Sequence, residues 1–239
     1  MLIIPDISFW QDDNSTPRKV DFAKMKSAGA SGVIIRAGQN TWVDPDLRDY
    51  WRDAKAAGLL RGTYWFYDSR SDPRAQADLF YNQLADDLPE LGAWMDFEER
   101  YGGSYGSETH MRRFSEKLLD HFPESVEVGV YTNYYYWIER IPSVNRAWWT
   151  QFPLWVANYD VQAPRVPPNW TSWLFWQYTS RGDGLKYGVE SREIDLNYYD
   201  GTTTELYEYF GIENTEPKPY EPIRIELGGK VYSGTVREE

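Results

Sequence analysis

The sequence predicts an α/β protein, a closed barrel of eight β-strands in which helices follow only the first five strands. The chain has 239 residues, enough for one large barrel domain. Its first part alternates apolar strand patterns with amphipathic segments, which is typical of parallel βα units. Its second part keeps the strand patterns but loses the helical periodicity. The expected architecture is therefore a TIM-like (β/α)5(β)3 barrel, followed by a short C-terminal β-hairpin tail.

The first five strand patterns are apolar or aromatic runs that end at polar residues. They cover residues 2–8, 32–38, 61–68, 92–99 and 127–133. The helical patterns between them carry boundary signals. One predicted helix begins at Pro45 and ends at Gly58, and a second has Pro73 in its first turn. Ser107 is a candidate N-cap for the helix over residues 107–122. The predicted helices cover residues 21–29, 45–58, 72–85, 107–122 and 134–141.

Three further strand patterns complete the barrel, over residues 153–159, 172–180 and 193–199. The segments between them are rich in Pro, Gly and Asn, and a helix over 203–210 closes the unit. We therefore assign residues 1–211 to the barrel, 212–222 to a proline-rich linker and 223–239 to a hairpin tail that turns at Gly228-Gly229. Because an isolated hairpin is marginal in water, we expect it to dock on the barrel or to mediate self-association.

Composition excludes several classes of function. The chain has no cysteine and only two histidines, His110 and His121, so thiolate chemistry and histidine-rich metal sites are not available, and we expect no metal and no cofactor. The net charge of −12 argues against nucleic-acid and anionic-membrane partners. No apolar run reaches the length of a membrane span. The 12 Trp, 19 Tyr and 10 Phe residues instead favour stacking surfaces in an open groove, which suit sugars.

One strand pattern carries a pair of acids in the order Asp96-Phe97-Glu98. Side chains alternate along a strand, so both carboxyl groups face one side, with α-carbons about 6.6 Å apart, while Phe97 faces the packing. Such a separation is close to that of the two carboxyl groups in glycoside hydrolases. The alternative is an acidic strand end that is merely solvated.

The active sites of such barrels form at the C-terminal ends of the strands, and chemistry-bearing residues collect there in this sequence. The carboxylates are Asp6, Asp96, Glu98 and Asp195, and the neighbouring candidates for substrate binding are Arg36, Tyr64, Tyr131, Trp155, Tyr159 and Gln177. Crowded carboxylates repel one another, so one of them is expected to keep its proton and to act as a general acid. Two alternatives stay open: Trp155 is as well suited to the core as to stacking, and Arg36 could simply neutralise a neighbouring acid.

The ordered set of motifs resembles glycoside hydrolase family 25, the Chalaropsis-type lysozymes. The resemblance covers about residues 1–211 and rests on Asp6-Ile-Ser8-Phe-Trp10-Gln11, Val33-Ile-Ile-Arg36-Ala-Gly38, Tyr64-Trp-Phe66, Asp96-Phe-Glu98, Gly129-Val-Tyr131-Thr-Asn133, Trp155-Val-Ala-Asn158-Tyr159, Trp176-Gln177-Tyr178 and Ile194-Asp195-Leu-Asn197. It implies a barrel with five helices and N-acetylmuramidase activity, which hydrolyses the β-1,4 bond between N-acetylmuramic acid and N-acetylglucosamine in peptidoglycan.

The resemblance also implies roles for the acids. Glu98 is expected to donate the proton. Asp96 is expected to stabilise the reacting centre, either by orienting the 2-acetamido group of the substrate or by direct attack. Asp6 and Asp195 are similar to two further acids that complete the cluster. The sequence departs from the family pattern at Asp12, at Gln39-Asn40 and at Trp65, none of which is one of the four acids.

Three other functions are considered. A barrel that binds glycan without cleaving it and a hydrolase of another amino-sugar polymer, such as chitin, would share this groove. Gly102-Gly103-Ser104-Tyr105-Gly106 matches the G-x-S-x-G motif of serine hydrolases, but that motif requires a strand–elbow–helix context. The N-terminus shows no signal-peptide pattern. We therefore expect a protein made in the cytoplasm that reaches the cell wall after release, as a phage-type endolysin does.

Overall fold

The computed structural model describes residues 1–12, 15–16 and 19–213, together with the backbone of strands 221–227 and 230–236. Its centre is a closed eight-stranded barrel, as predicted. The barrel strands, in their order around the barrel, are β1 (Leu2–Ile7), β2 (Gly32–Gln39), β4 (Leu60–Phe66), β5 (Ala93–Asp96), β6 (Val128–Asn133), β7 (Leu154–Ala157), β8 (Phe175–Asp183) and β9 (Glu193–Tyr199). A short extra strand, β3 (Trp42–Val43), pairs antiparallel with the end of β2.

The last barrel strand runs against the others. Neighbouring strands from β1 round to β8 are parallel, but β9 is antiparallel to both β8 and β1. The parallel pairing expected for the βα units therefore does not extend to this strand. Its reversal brings Asp195, near the start of β9, into register with Asp6 near the end of β1. Asp195 thus reaches the mouth of the barrel from an N-terminal strand end.

The helices follow the first five parallel units as predicted. They are α1 (Phe22–Ser27), α2 (Leu47–Ala56), α3 (Pro73–Asn82), α4 (Glu108–His121) and α5 (Tyr134–Arg140), and then α6 (Arg146–Trp149) and α7 (Thr203–Tyr209). Asp72 caps α3 by accepting hydrogen bonds from two backbone N–H groups, with Pro73 in the first turn. Ser107 precedes α4 but makes no side-chain cap; its hydroxyl instead contacts His110 Nδ1 at 2.8 Å. The sequence did not predict α6, β3 or a short 3₁₀ helix at Phe9–Gln11.

Inward-facing side chains alternate along each strand and form two levels inside the barrel. On several strands, the residue two positions before a polar mouth residue is apolar or glycine. These pairs are Ile4 and Asp6, Ile34 and Arg36, Gly62 and Tyr64, Trp94 and Asp96, Gly129 and Tyr131, and Phe175 and Gln177. The lower level is a buried cluster that includes Ile4, Ile34, Trp94 and Phe175. It fills the barrel beneath the polar level, so the mouth has a solid floor.

A second core lies between the barrel and its helices. Phe97, which faces away from the mouth as predicted, packs there against Tyr67, Phe114 and Trp149, with ring centroids 5.4–6.1 Å apart. Cores on both sides of the sheet hold the strand backbones in place.

The C-terminal strands β10 (Glu221–Leu227) and β11 (Lys230–Val236) form a separate antiparallel pair, in register from Glu221 with Val236 to Leu227 with Lys230. Most of the expected linker and the expected Gly228-Gly229 turn lie outside the described residues. Among the helices described, none is long and apolar enough to cross a membrane.

Candidate active site

A cleft of about 240 Å³ opens at the polar end of the barrel. All ten residues singled out from the sequence line it. They are Asp6, Arg36, Tyr64, Asp96, Glu98, Tyr131, Trp155, Tyr159, Gln177 and Asp195, joined by Ile7, Ser8, Trp10, Gln11 and Phe66. The barrel therefore brings together side chains from all eight of its strands or from the segments that follow them.

Two neighbouring strands fix the backbone that carries Asp96 and Glu98. The carbonyl oxygen of Asp96 accepts a bond from Tyr67 N at 3.0 Å, and Phe97 N donates to Tyr131 O at 2.9 Å. The Thr132 hydroxyl donates to Phe97 O at 2.8 Å. Strand β5 ends at Asp96, three residues earlier than expected. These hydrogen bonds hold the backbone at Phe97, beyond the end of β5, so that the side chains of Asp96 and Glu98 both face the cleft.

Asp6 is bound by two amide groups. Gln177 Nε2 and Asn197 Nδ2 each donate to Asp6 Oδ2 at 2.9 Å. Gln177 is itself oriented, because its Oε1 accepts from the Tyr131 hydroxyl at 2.9 Å and from the Tyr159 hydroxyl at 2.5 Å. With Oε1 committed to the two tyrosines, the amide nitrogen is left to donate to Asp6. This arrangement favours the ionised form of Asp6.

Asn197 was not among the site residues chosen from the sequence. It is fully buried, donates also to Ile4 O at 2.7 Å, and accepts from Trp155 Nε1 at 2.7 Å. Trp155 is only 1% exposed and lies edge-on to Tyr131, with ring centroids 4.6 Å apart. A sugar cannot stack on a ring this buried, so the expected substrate-binding role of Trp155 is corrected to support of Asn197 and Tyr131 beneath the cleft.

The four acids have raised pKa values because burial disfavours their charged forms. Burial raises the pKa of Asp6 to about 6, against the opposing effect of its two amide donors. Burial and the charge of Asp6 raise the pKa of Glu98 to about 7 and that of Asp195 to about 8. The pKa of Asp96 is raised well above its usual value by burial and by the charges of Glu98 and Asp6. Burial and mutual repulsion therefore allow at least one acid of the cluster to keep its proton near neutral pH.

Arg36 is the cation of this cleft. Its Nε donates to Asp44 Oδ2 at 2.9 Å, and its guanidinium carbon lies 4.8 Å from the ring centroid of Phe9 and 5.0 Å from that of Trp42. Arg36 therefore does neutralise a neighbouring acid, but that acid is Asp44 and not one of the four cleft acids. Asp44 was missed because it belongs to the segment between β3 and α2 and does not line the cleft.

Two aromatic residues at the edge of the cleft are exposed, which suits stacking on a sugar. Tyr159 is 40% exposed and its ring is held by the bond to Gln177. Trp10 is 69% exposed and lies beside Phe9, with ring centroids 4.3 Å apart. Trp10 was noted in the motif but not chosen as a substrate-binding residue, although its position directly after the Asp6-Ile-Ser8 strand end was the available signal.

Several polar residues at strand ends form hydrogen bonds with neighbouring segments of the chain and do not line the cleft. Asp68 pairs with Arg70, Asn133 caps α5, and Asn158 accepts a bond from Arg165 N. Ser104 lies in an exposed turn between β5 and α4 and not at a strand–elbow–helix junction, so it lacks the context of a serine hydrolase. Within the described ranges, no group of three His, Cys, Asp or Glu side chains is arranged to hold a metal ion.

Comparison with known proteins gives one consistent result. Residues 5–185 match the family described as Glycosyl hydrolases family 25. Lysozyme M1 of Streptomyces globisporus is 30% identical over 211 residues, which are 84% of this chain and 68% of that protein. The crystal structure of the bacterial lysozyme from Streptomyces coelicolor is similar with a TM-score of 0.72 and 26% identity, covering 89% of this chain and 98% of that one.

The crystal structure of the CTP1L endolysin is also similar, with a TM-score of 0.71 and 26% identity over 90% of this chain and 71% of that one. The resemblance inferred from the motifs is thus confirmed by the family match, by a curated relative and by solved structures. With its closed barrel and its cleft of four acids, this chain belongs to glycosyl hydrolase family 25.

Proposed function

We propose that the protein hydrolyses the β-1,4 bond between N-acetylmuramic acid and N-acetylglucosamine in peptidoglycan, with Glu98 as the general acid. The family is that of lysozymes, and the protein is accordingly a glycoside hydrolase. The observation that supports the detailed proposal is the cluster of four acids in one cleft, in which Glu98 has a pKa of about 7. Glycoside hydrolysis requires a carboxylic acid that is still protonated at the working pH.

In the proposed reaction, Glu98 gives its proton to the glycosidic oxygen as the bond from that oxygen to C1 of N-acetylmuramic acid breaks. Positive charge develops on the muramic acid ring. Asp96 stabilises it, either by orienting the 2-acetamido group as an internal nucleophile or by direct attack. Water then adds at C1 and returns a proton to the Glu98 carboxylate. Each cycle leaves a reducing-end N-acetylmuramic acid and restores both acids.

The remaining site residues prepare the two reacting groups. The Asp6 carboxylate, held by Gln177 and Asn197, raises the pKa of Glu98 through its charge. Asp195 lies in register with Asp6 and completes the acidic wall. Tyr64 and Tyr159 line the cleft, and we assign them to contacts with the sugar rings.

The test is mass spectrometry of the soluble fragments released from purified peptidoglycan by the wild type, by Glu98→Gln and by the control Glu124→Gln. Glu124 is exposed in the segment after α4. We expect fragments ending in reducing N-acetylmuramic acid from the wild type and the control only. Fragments from Glu98→Gln at the wild-type rate would contradict the assignment of the acid.

The same experiment distinguishes the alternative functions. Binding of peptidoglycan by the wild type without release of fragments would indicate a glycan-binding barrel. Release of oligosaccharides from chitin but not from peptidoglycan would indicate a hydrolase of another amino-sugar polymer. Either result would overturn the muramidase proposal.

We assign the protein to bacterial cell lysis of the phage type. Support comes from its similarity to the CTP1L endolysin structure. If the protein is produced inside a bacterial cell whose wall it cleaves, lysis should begin only after the cytoplasmic membrane is permeabilised. Lysis of intact producing cells would argue against this role.

A further inference from the structure

A second groove, of about 350 Å³, lies at the end of the barrel opposite the cleft. It forms where the parallel strands β6, β7 and β8 begin. The residues that immediately precede these strands, Glu127, Pro153 and Leu174, all line it. It has no lining residue in common with the cleft, so it is a separate surface of the barrel.

Aromatic side chains give this groove its character. Phe152, Trp170, Trp173 and Tyr209 line it. Trp170 is fixed by a bond from its Nε1 to Phe152 O at 2.8 Å. Trp170 and Trp173 are only half-buried, and Tyr209 is 44% exposed. The groove therefore offers open aromatic surface on rings that the protein already holds in place.

Glu127 is the one charged residue in the lining. None of the ion pairs formed by the described residues involves it. Burial raises the pKa of Glu127, against the opposing effect of a bond from the Tyr209 hydroxyl. A cation placed in the groove would stabilise the charged form of this carboxyl group.

The described part of the barrel domain ends beside this groove. Glu213 follows Tyr209 by four residues. The chain is anchored there, because Ile212 N donates to Tyr207 O at 2.8 Å and the Phe210 ring stacks on Phe175 with centroids 6.1 Å apart. The next seven residues, 214–220, lie outside the described residues. At the polyproline II rise they can span about 22 Å.

The sequence of this segment suits an aromatic groove. It reads Asn-Thr-Glu-Pro-Lys-Pro-Tyr, and Glu-Pro follows, so that Pro219 and Pro222 have the spacing P-x-x-P. Proline and the residue before it favour extended backbone. Segments of this kind bind grooves lined by aromatic rings and lose little conformational entropy on binding. Lys218, between two prolines, is the only cation in residues 213–222.

We propose that residues 214–220 occupy the groove of their own chain, with Pro217 and Pro219 against the aromatic rings and Lys218 beside Glu127. The direct connection through residue 213 gives the segment a high effective concentration at the groove. The hairpin would then begin at the end of the barrel opposite the cleft and leave the cleft open to a long glycan. This inference does not depend on the reaction in the cleft.

The test uses the absence of cysteine from the chain. Two cysteines are introduced into the full-length protein by Ser172→Cys, in the exposed lining of the groove, and Tyr220→Cys. The control pairs Tyr220→Cys with Ser27→Cys. Ser27 is an exposed serine that ends α1 at the same end of the barrel, just before β2. In the strand order, β2 lies four strands from β7 in either direction.

Disulfide formation under mild oxidation is followed by non-reducing electrophoresis and peptide mass spectrometry. A disulfide needs α-carbons within about 7 Å of each other, so we expect the Ser172→Cys pair to close within one chain at least about tenfold faster than the control pair. Equal rates would overturn the proposal. Disulfides that form chiefly between two chains would overturn it as well, since the occupant would then be the segment of a second copy.

Two further variants distinguish docking from chance collisions of a tethered segment. Trp173→Ala, added to the Ser172→Cys and Tyr220→Cys pair, removes a ring of the groove without changing the tether and should slow closure. Lys218→Glu should slow it about two- to fivefold, and Glu127→Lys in addition should restore the rate. A rate that Trp173→Ala leaves unchanged would overturn docking, and rates unaffected by the charge changes would overturn the contact between Lys218 and Glu127.

Discussion

The proton on Glu98 depends on the charge of Asp6. Asp6 carries two amide donors on one oxygen, whereas Glu98 receives one long bond, from the Tyr131 hydroxyl at 3.4 Å. The two amide donors stabilise the ionised form of Asp6, whereas the single long bond does little to stabilise the ionised form of Glu98. Burial then acts on both residues, and the charge of Asp6 raises the pKa of Glu98 further. The environment of each side chain, and not its residue type, therefore makes Asp6 the charged carboxylate and Glu98 the protonated acid.

A pH profile tests this dependence. The pKa of Glu98 is about 7, so kcat/KM should fall as pH rises through about 7, where the general acid loses its proton. Asp6→Asn removes a negative charge, which should lower the pKa of Glu98 and move the alkaline limb to lower pH. Tyr131→Phe removes a bond to the carboxylate and should move the limb to higher pH.

The same shifts can be read without turnover, from the pH dependence of the carboxyl-carbon NMR signal of Glu98. This measurement keeps the prediction testable if Asp6→Asn is inactive. Equal pKa values of Glu98 in the wild type and both variants would show that neither neighbour controls its proton.

Asp195 gives a prediction on stability. An aspartate in an unfolded chain has a pKa of about 3.9, whereas burial and nearby acids raise the pKa of Asp195 to about 8 in the folded protein. Between these values the unfolded form loses its proton first. The contribution of Asp195 to the free energy of unfolding is therefore largest below pH about 4 and declines as pH rises to about 8.

Asp195→Asn abolishes this decline. We expect the variant to unfold at a higher temperature than the wild type at pH 8, by an amount that corresponds to about 1–3 kcal/mol, and to match it more closely at pH 4. Calorimetry at both pH values provides the measurement, with Asp120→Asn on the exposed face of α4 as the control. A gain of the same size at both pH values would contradict the assigned cause.

Strands β5 and β6 fit together because Gly129 faces Trp94. A Cβ atom at position 129 would lie 2.2 Å from the Trp94 ring, which is fully buried and packs against Trp155 and Phe175. These rings form the floor beneath Asp96. The strand therefore requires a residue without a side chain at this position, for space and not for backbone conformation.

Gly129→Ala should destabilise the protein by about 1–3 kcal/mol or more, because the Trp94 ring has no free space into which to move. Denaturant unfolding measures this change. Gly106→Ala is the matched control, since its Cβ would lie at ordinary contact distance, 3.4 Å from the nearest atom. Equal stability of Gly129→Ala and the wild type would show that the floor is loosely packed.

Sequence patterns predicted the elements of this fold better than their directions. Strand and helix periodicity gave eight strands and the helices that follow the first five. It gave no sign that β9 is reversed, because an antiparallel strand has the same alternation as a parallel one. Asp195 was assigned to the mouth as a residue at the C-terminal end of its strand. It does lie at the mouth, but near the start of the reversed strand β9.

The residues of the candidate site were also predicted only in part from the sequence. Residues at strand ends, such as Asp6 and Glu98, could be placed at the mouth from their position in the pattern. The roles of Asn197 and Asp44 could not be predicted, because they depend on side-chain hydrogen bonds: Asn197 binds Asp6 on the neighbouring strand β1, and Asp44 binds Arg36, eight residues before it. Hydrogen bonds of this kind leave no periodicity in the sequence.

The whole molecule combines the barrel with a separate pair of strands, β10 and β11. Two-stranded sheets are marginally stable alone in water. The sequence of β10 alternates apolar Ile223, Ile225 and Leu227 with charged Arg224 and Glu226, a pattern typical of a strand with one face covered. We therefore expect the hairpin to be stabilised by the barrel or by the hairpin of a second chain.

Deletion of residues 213–239 separates these two cases from a hairpin without a partner. Loss of a docking contact should lower the melting temperature with no change in mass, whereas loss of a chain-to-chain contact should reduce the mass measured by light scattering. Ile225→Asp keeps the chain length but places a charge within the apolar alternation, opposite Tyr232 in the register, so it should reproduce the effect of the deletion. If both variants retain the mass and melting temperature of the wild type, the hairpin has neither partner. Activity on peptidoglycan, measured in parallel, then decides whether this segment contributes to binding of the cell wall, since the four acids of the cleft all lie within residues 6–195.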